Sequence, residues 1–210
     1  MLFRSLRSAL RFLHSGIGCG GPVAREGTNS EFFNEAVAWG RIQGASNVQW
    51  VGGEPTIHLP AILDVMSRCP MLPSVVWKSD FYCTEEAMAL LEGVVDVYVP
   101  DFKFGNDACA RRLAGVDDYL RVVTRNLQLA SAQNRVIVRH LLLPGHLECC
   151  LGPILRWLGE NLPQVELSIR DGYLPSWRAG AFAELRRPVE KGEARRAREL
   201  ACEAGVRLAE

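Results

Sequence analysis

The sequence predicts an α/β fold in which parallel strands carry helices on their outer faces. Two observations support this. Short apolar runs alternate five times with segments of helical periodicity, and each crossover is long enough to hold a helix, as parallel pairing requires. Polar residues then gather just past the runs, at Glu54, Ser79, Asp80, Asp101, Lys103, His146 and Asp171. In parallel α/β folds the C-terminal strand ends form one rim, and sites are built there. A barrel and an open sheet both satisfy the pattern.

In chain order, Asn29-Ser30 reads as an N-cap for a helix through about Gln43, with Phe32, Phe33, Ala36, Val37 and Ile42 on one apolar face and Gly44 as its stop. Val48 to Val51 is the first short strand, broken by Gly52-Gly53-Glu54-Pro55-Thr56 and followed by a helix from about Leu59 to Arg68. Ser74 to Trp77 is the second strand; Thr84 then caps a helix from Glu85 to Leu91, with two acids in its first turn as the helix dipole favours. Val94 to Val99 is the third strand, running into Pro100-Asp101-Phe102-Lys103. Helices are expected around Asp107 to Leu113 and from Asp117 to about Ala130. Val136 to Leu143 is the fourth strand, ended by Pro144-Gly145-His146, and a helix covers Leu151 to Asn161. Val165 to Ile169 is the fifth strand, leaving through Arg170-Asp171-Gly172-Tyr173; a polar helix from about Lys191 to Ala204 and a short apolar end, Val206 to Leu208, close the chain.

At 210 residues the chain fits one domain with a sizeable core, and 48% apolar and 23% charged residues are ordinary for a globular protein. Lys plus Arg equals Asp plus Glu at 24 each, so no general attraction to nucleic acid is indicated. No apolar run is long enough to span a bilayer. Seven scattered cysteines do not form a disulfide framework and point to a reducing compartment, the cytoplasm. The first 25 residues hold four arginines and no acid, a composition shared with organelle-targeting segments. An irregular N-terminus is the plainer reading, so residues 1–28 are set apart from a domain spanning 29–210.

The most informative stretch is Asn47 to Leu59, NVQWVGGEPTIHL. Two glycines at a strand end let backbone run close to a ligand where a Cβ would collide. Glu54 follows as a fixed charge, and Pro55 prevents the strand from continuing. Each rim residue also has a plainer role: Glu54 as a solvated turn acid, Asp101 and Lys103 as an ion pair, Arg139 as a helix C-terminal partner, His146 as a loop residue. Cys149 and Cys150 are adjacent, and adjacent thiols do not easily bind one ion, so they are read as small buried side chains and no metal ligand is expected.

The runs VGGEPTIHLPAIL, PSVVWKSDFY, VVDVYVPDFKFGNDACARRL, VVTRNL, VIVRHLLLPGHLECC and EAGVRL resemble the radical S-adenosylmethionine (SAM) superfamily, in an uncharacterised subgroup related to pyruvate formate-lyase activating enzymes. The resemblance covers about Asn29 to the C-terminus. It implies a partial (β/α) barrel, with SAM and a 4Fe–4S cluster as cofactors and reductive SAM cleavage as the chemistry. It also implies a glycyl-radical or other protein as substrate, with no nucleic-acid or membrane partner. By the same resemblance, Gly52, Gly53 and Glu54 would hold the methionyl amine. Ser79 and Asp80 would lie at the sugar or carboxylate, where the subgroup usually has Asn for Asp80. Asp101 and Lys103 match a D-x-K beside cofactor and substrate, and Arg139 would lie near the SAM carboxylate. His146 faces the same rim. Asp171 and Tyr173 close the set, in a D-G-Y where D-Q-Y is expected.

One part of the family pattern is missing. The family's cluster is held by a CxxxCxxC loop on its first strand, ahead of the helix that leads to GGE. Here the cysteines fall at 19, 69, 83, 109, 149, 150 and 202, with no three inside eight residues; only Cys19 is in the right region. The first strand is therefore expected to be missing or degenerate, and the chain is not expected to cleave SAM. Loss of that strand would expose a sheet edge and favour association. One alternative is a non-catalytic SAM- or nucleotide-binding protein. A second is a barrel lyase using Lys103 as a Schiff-base nucleophile, disfavoured because Asp101 nearby would stabilise the charged, unreactive amine.

Overall fold

A computed structural model describes residues 30–209; the N-terminal segment 1–28 and the cap expected at Asn29 lie outside them. Six parallel strands form one sheet whose spatial order follows chain order, β1 to β6. The strands are β1 (Asn47–Trp50), β2 (Ser74–Trp77), β3 (Val97–Tyr98), β4 (Arg135–Leu141), β5 (Glu166–Arg170) and β6 (Arg207–Leu208). The helices are α1 (Ser30–Ile42), α2 (Leu59–Ser67), α3 (Glu85–Leu91), α4 (Asp107–Ala114), α5 (Tyr119–Gln133), α6 (Gly152–Asn161) and α7 (Lys191–Glu203). Sequential parallel order with a helix in each crossover is the winding of a (β/α) barrel. Among the described residues it stays open, since β1 pairs only with β2 and β6 only with β5.

The helix starts follow side-chain chemistry. Thr84 Oγ1 accepts the Ala87 N–H at α3, and Asn106 Oδ1 accepts the Cys109 N–H at 2.7 Å at α4. Glu190 and Glu193 form a reciprocal capping box at α7. The core lies between sheet and helices, with Trp77, Tyr98, Phe102, Tyr119, Leu127, Val138 and Leu167 all buried. Among the described residues no helix is long and apolar enough to cross a membrane.

Three elements differ from the sequence expectation. The third strand shrinks to Val97–Tyr98: at its start Val94 and Val95 donate back to Leu91 O in the turn leaving α3, and at its end Pro100 has no N–H to donate. Its ladder resumes past the proline, where Arg139 N donates to Pro100 O and Phe102 N donates to Arg139 O. The apolar end is a sixth strand, paired through Leu167 and Leu208; two residues are too few to show an alternation. The turn after β4 is a π-helix, Leu147–Leu151, running directly into α6.

Candidate functional site

The rim begins at the end of β1. Gly52 and Gly53 have φ of 97° and 57°, in the left-handed region that favours glycine, and a Cβ at Gly53 would meet nothing within 4 Å. The turn so formed projects Glu54 across to the end of β2. Glu54 Oε1 accepts from Thr56 N at 3.1 Å, Thr56 Oγ1 at 2.5 Å and Ser79 Oγ at 2.8 Å. Its Oε2 accepts from Asp80 N at 2.9 Å. Sequence-distant Gly52, Gly53, Glu54, Ser79 and Asp80 are thus one unit.

Past Asp80 the backbone is strained: buried Phe81 has φ 57°, a conformation that costs a non-glycine residue about 1–3 kcal/mol. Four hydrogen bonds hold it. Ser79 Oγ accepts Phe81 N, Asp80 Oδ1 accepts Tyr82 N, and buried Asn126 donates to the Phe81 and Cys83 carbonyls. The result turns the Asp80 carboxyl, only 7% exposed, toward Glu54. Burial first, then the Glu54 charge, push the Asp80 acid up to about 7, against an opposing pull from Lys103. Two carboxyls held together in a half-dry site favour a cation between them.

A basic pole adjoins this acidic one. Asp101 sits 3.4 Å from Lys103 Nζ and 3.7 Å from Arg139 Nη1. Lys78 and Arg170 belong to the same group: Lys78 is pushed below its ordinary range by burial and then by Arg139, Lys103 and Arg170, with Asp101 opposing. Lys103 and Arg139 flank one carboxylate with Lys78 and Arg170 nearby, and this excess of cations suits an anion. Lys78 and Arg170 were not among the sequence candidates, though both occupy strand-end positions that could have marked them.

His146 and Asp171 are engaged elsewhere. Asp171 is exposed and pairs with Arg198 of α7 at 2.8 Å, while the Tyr173 hydroxyl donates to Leu185 O. His146 is buried and turned toward thiols. Its Nδ1 lies 3.2 Å from Cys149 Sγ, 3.5 Å from Cys150 Sγ and 3.8 Å from Cys109 Sγ. The ligating atoms of these four residues all fall within 4.8 Å of one another. The expectation that the adjacent Cys149 and Cys150 do not easily serve one ion is corrected, since both thiols belong to this cluster. The π turn brings their sulfurs to 3.9 Å, and no sequence window reveals that Cys109 of α4 joins them. Burial and then Arg112 push His146 below its ordinary pKa, partly offset by Glu184.

No protein-family model matches the chain. The uncharacterized protein MJ0674 of Methanocaldococcus jannaschii is 41% identical over 157 residues, 75% of this chain, and the chain spans 46% of that protein's length. Among solved structures, a domain of pyruvate-formate lyase-activating enzyme from Bacteroides vulgatus superposes with TM-score 0.62 at 14% identity, over 79% of this chain and 98% of that one. Streptococcus suis SuiB bound to S-adenosylmethionine gives TM-score 0.62 at 12% identity, over 90% of this chain and 41% of that one. A radical SAM methyltransferase from Sphaerobacter thermophilus gives 0.59 at 13% identity, over 87% and 57%. The fold is that of the radical SAM enzymes. In this fold the strand ends just described lie on a single rim, which joins the acidic and basic poles into one candidate site.

Proposed function

We propose that this chain is a radical SAM family protein of the pyruvate formate-lyase activating enzyme type whose rim binds S-adenosylmethionine. The observation that carries the reading is the Glu54 carboxylate, fixed by four donors from two elements. Three of them converge on Oε1 and one on Oε2, which leaves Oε2 with acceptor capacity. Beside it stands the buried Asp80 carboxyl. A methionyl ammonium fits this acidic pole, and the basic pole of Lys78, Lys103, Arg139 and Arg170 suits its carboxylate. The glycine turn leaves open space where a ligand backbone can approach. SAM so held supplies the reactive sulfonium; the chain's residues bind it and orient it.

The 4Fe–4S cluster of this reaction class does not fit the described residues. Of their six cysteines, only Cys109, Cys149 and Cys150 converge. A four-iron cluster places each thiolate on its own iron and needs its ligands spread apart, whereas these lie within 4.8 Å and share a histidine. No chemical step is therefore derived through a cluster. The activity supported by the described residues is SAM binding, with a glycyl-radical or other protein as the expected substrate of the complete reaction.

Calorimetry of the iron-free chain with SAM tests the reading. One equivalent is expected to bind. Glu54→Ala removes a charge-assisted hydrogen bond to the amine, so affinity is expected to fall roughly tenfold to a hundredfold, with circular dichroism confirming the fold. Unchanged affinity in a folded Glu54→Ala chain would sink the assignment.

A further inference from the structure

We infer that Cys109, His146, Cys149 and Cys150 form a single-ion tetrahedral site for a zinc-type divalent cation, which pins the first turn of α4 to the π turn after β4. The inference is independent of the SAM reading. Zinc bonds run near 2.3 Å to sulfur and 2.0–2.1 Å to nitrogen, so a tetrahedron separates sulfur pairs by about 3.8 Å and sulfur–nitrogen pairs by about 3.6 Å. Here Cys109–Cys149 and Cys149–Cys150 are each 3.9 Å apart. The three sulfur–nitrogen separations are 3.2, 3.5 and 3.8 Å. The sulfur pairs lie within about 0.1 Å of what one ion needs, and the sulfur–nitrogen set brackets it.

The surroundings are those of a ligand set. His146 Nδ1 faces the sulfurs, while Glu184 Oε1 lies 3.6 Å and Arg112 Nη2 3.5 Å from its Nε2; Glu184 is thus placed beside the nitrogen that would donate to a carboxylate in a metal-bound imidazole. Arg112 pairs with the same Glu184 and holds it in place. Asn106 Nδ2 lies 3.3 Å from Cys109 Sγ and donates to Cys149 O, and the Gly105 N–H donates to the Cys150 sulfur. Such N–H···S contacts favour thiolates. Gly105 has no room for a side chain, since a Cβ there would lie 2.1 Å from Cys150 O. A one-turn π-helix, uncommon outside functional sites, is what places two consecutive sulfurs on the same ion. With four protein ligands no coordination position is left open, so the role is structural. Binding releases the thiol protons to solvent.

The test loads the full chain with Co(II) and then Zn(II). One equivalent of Co(II) with thiolate charge-transfer and tetrahedral d–d bands, displaced by one Zn(II), is expected. Cys109→Ser should abolish the signal and Cys202→Ser should leave it intact. Where Cys109→Ser fails to fold, Glu184→Gln serves instead, expected to weaken metal affinity roughly tenfold or more while retaining the spectrum. A folded chain that binds no cation would overturn the inference. So would a four-iron cluster in the same residues, or a Cys109–Cys149 disulfide in protein purified with metal and without oxidant.

Discussion

Replacing Asp80 by Asn separates the charge of this residue from its backbone role. Asn retains the acceptor for Tyr82 N and removes the carboxylate that faces Glu54. In the folded chain the Asp80 acid is raised from 3.8 to about 7 by burial and then by Glu54; unfolded, it ionises near its ordinary value. The folded state therefore keeps a proton that the unfolded state loses, and the wild type loses stability as pH climbs from about 4 to about 7. At about 1.4 kcal/mol per pH unit, the ionised Asp80 costs the fold on the order of 4 kcal/mol above pH 7. Asp80→Asn is expected to match wild type near pH 4 and to be more stable by up to that amount at pH 8, on the order of 10 °C in Tm for a chain of this size. Thermal melts at pH 4, 6 and 8 measure the difference. A pH-independent offset, or a variant less stable at pH 8, would refute the buried carboxyl pair. The same charge serves the proposed ligand, so SAM affinity should weaken in Asp80→Asn and should tighten in wild type between pH 5.5 and 8.

Two further outcomes follow from the packing. His140 is buried and hydrogen-bonded through Nδ1 to Phe102 O at 2.8 Å; burial lowers its pKa to about 4, so the unfolded chain takes up a proton near pH 6.5 that the folded one refuses. Its contribution is complete above about pH 6.5 and is lost as pH falls toward 4, roughly 3 kcal/mol in all, and urea titrations of His140→Gln should lose that part of the acid sensitivity. Gly105→Ala forces a Cβ against Cys150 O and is expected to cost about 1–3 kcal/mol, with a changed Co(II) spectrum; an unaltered spectrum would mean that the Cys150 segment does not depend on this contact.

The parallel sheet was legible because each strand is an apolar run and each crossover a periodic segment, and the rim was legible because polar residues collect where the runs stop. The union of Glu54 with Ser79 and Asp80 followed from that rule, since neighbouring parallel strands end at the same level. What the sequence hid is non-local or non-standard. The turn of Val94 and Val95 back onto Leu91 and the break at Pro100 shorten β3 from both ends without ending its ladder, and β6 is too short to show a period. The convergence of Cys109 with Cys149 and Cys150 joins α4 to a π turn 40 residues further on, and the contact between adjacent thiols rests on that π turn, which no apolar pattern encodes. Lys78 and Arg170 were visible as strand-end cations, but their charge acquires meaning only beside Asp101, Lys103 and Arg139.

Hydrogen exchange of the iron-free chain with and without SAM tests the central claim most directly, because it locates the ligand on the chain. The account expects slowed exchange at the backbone amides of 52–56, 78–82 and 101–103, the ends of three neighbouring strands, with the N-terminal strand ends unchanged. Binding without protection at those three segments, or protection confined to the far end of the sheet, would contradict it.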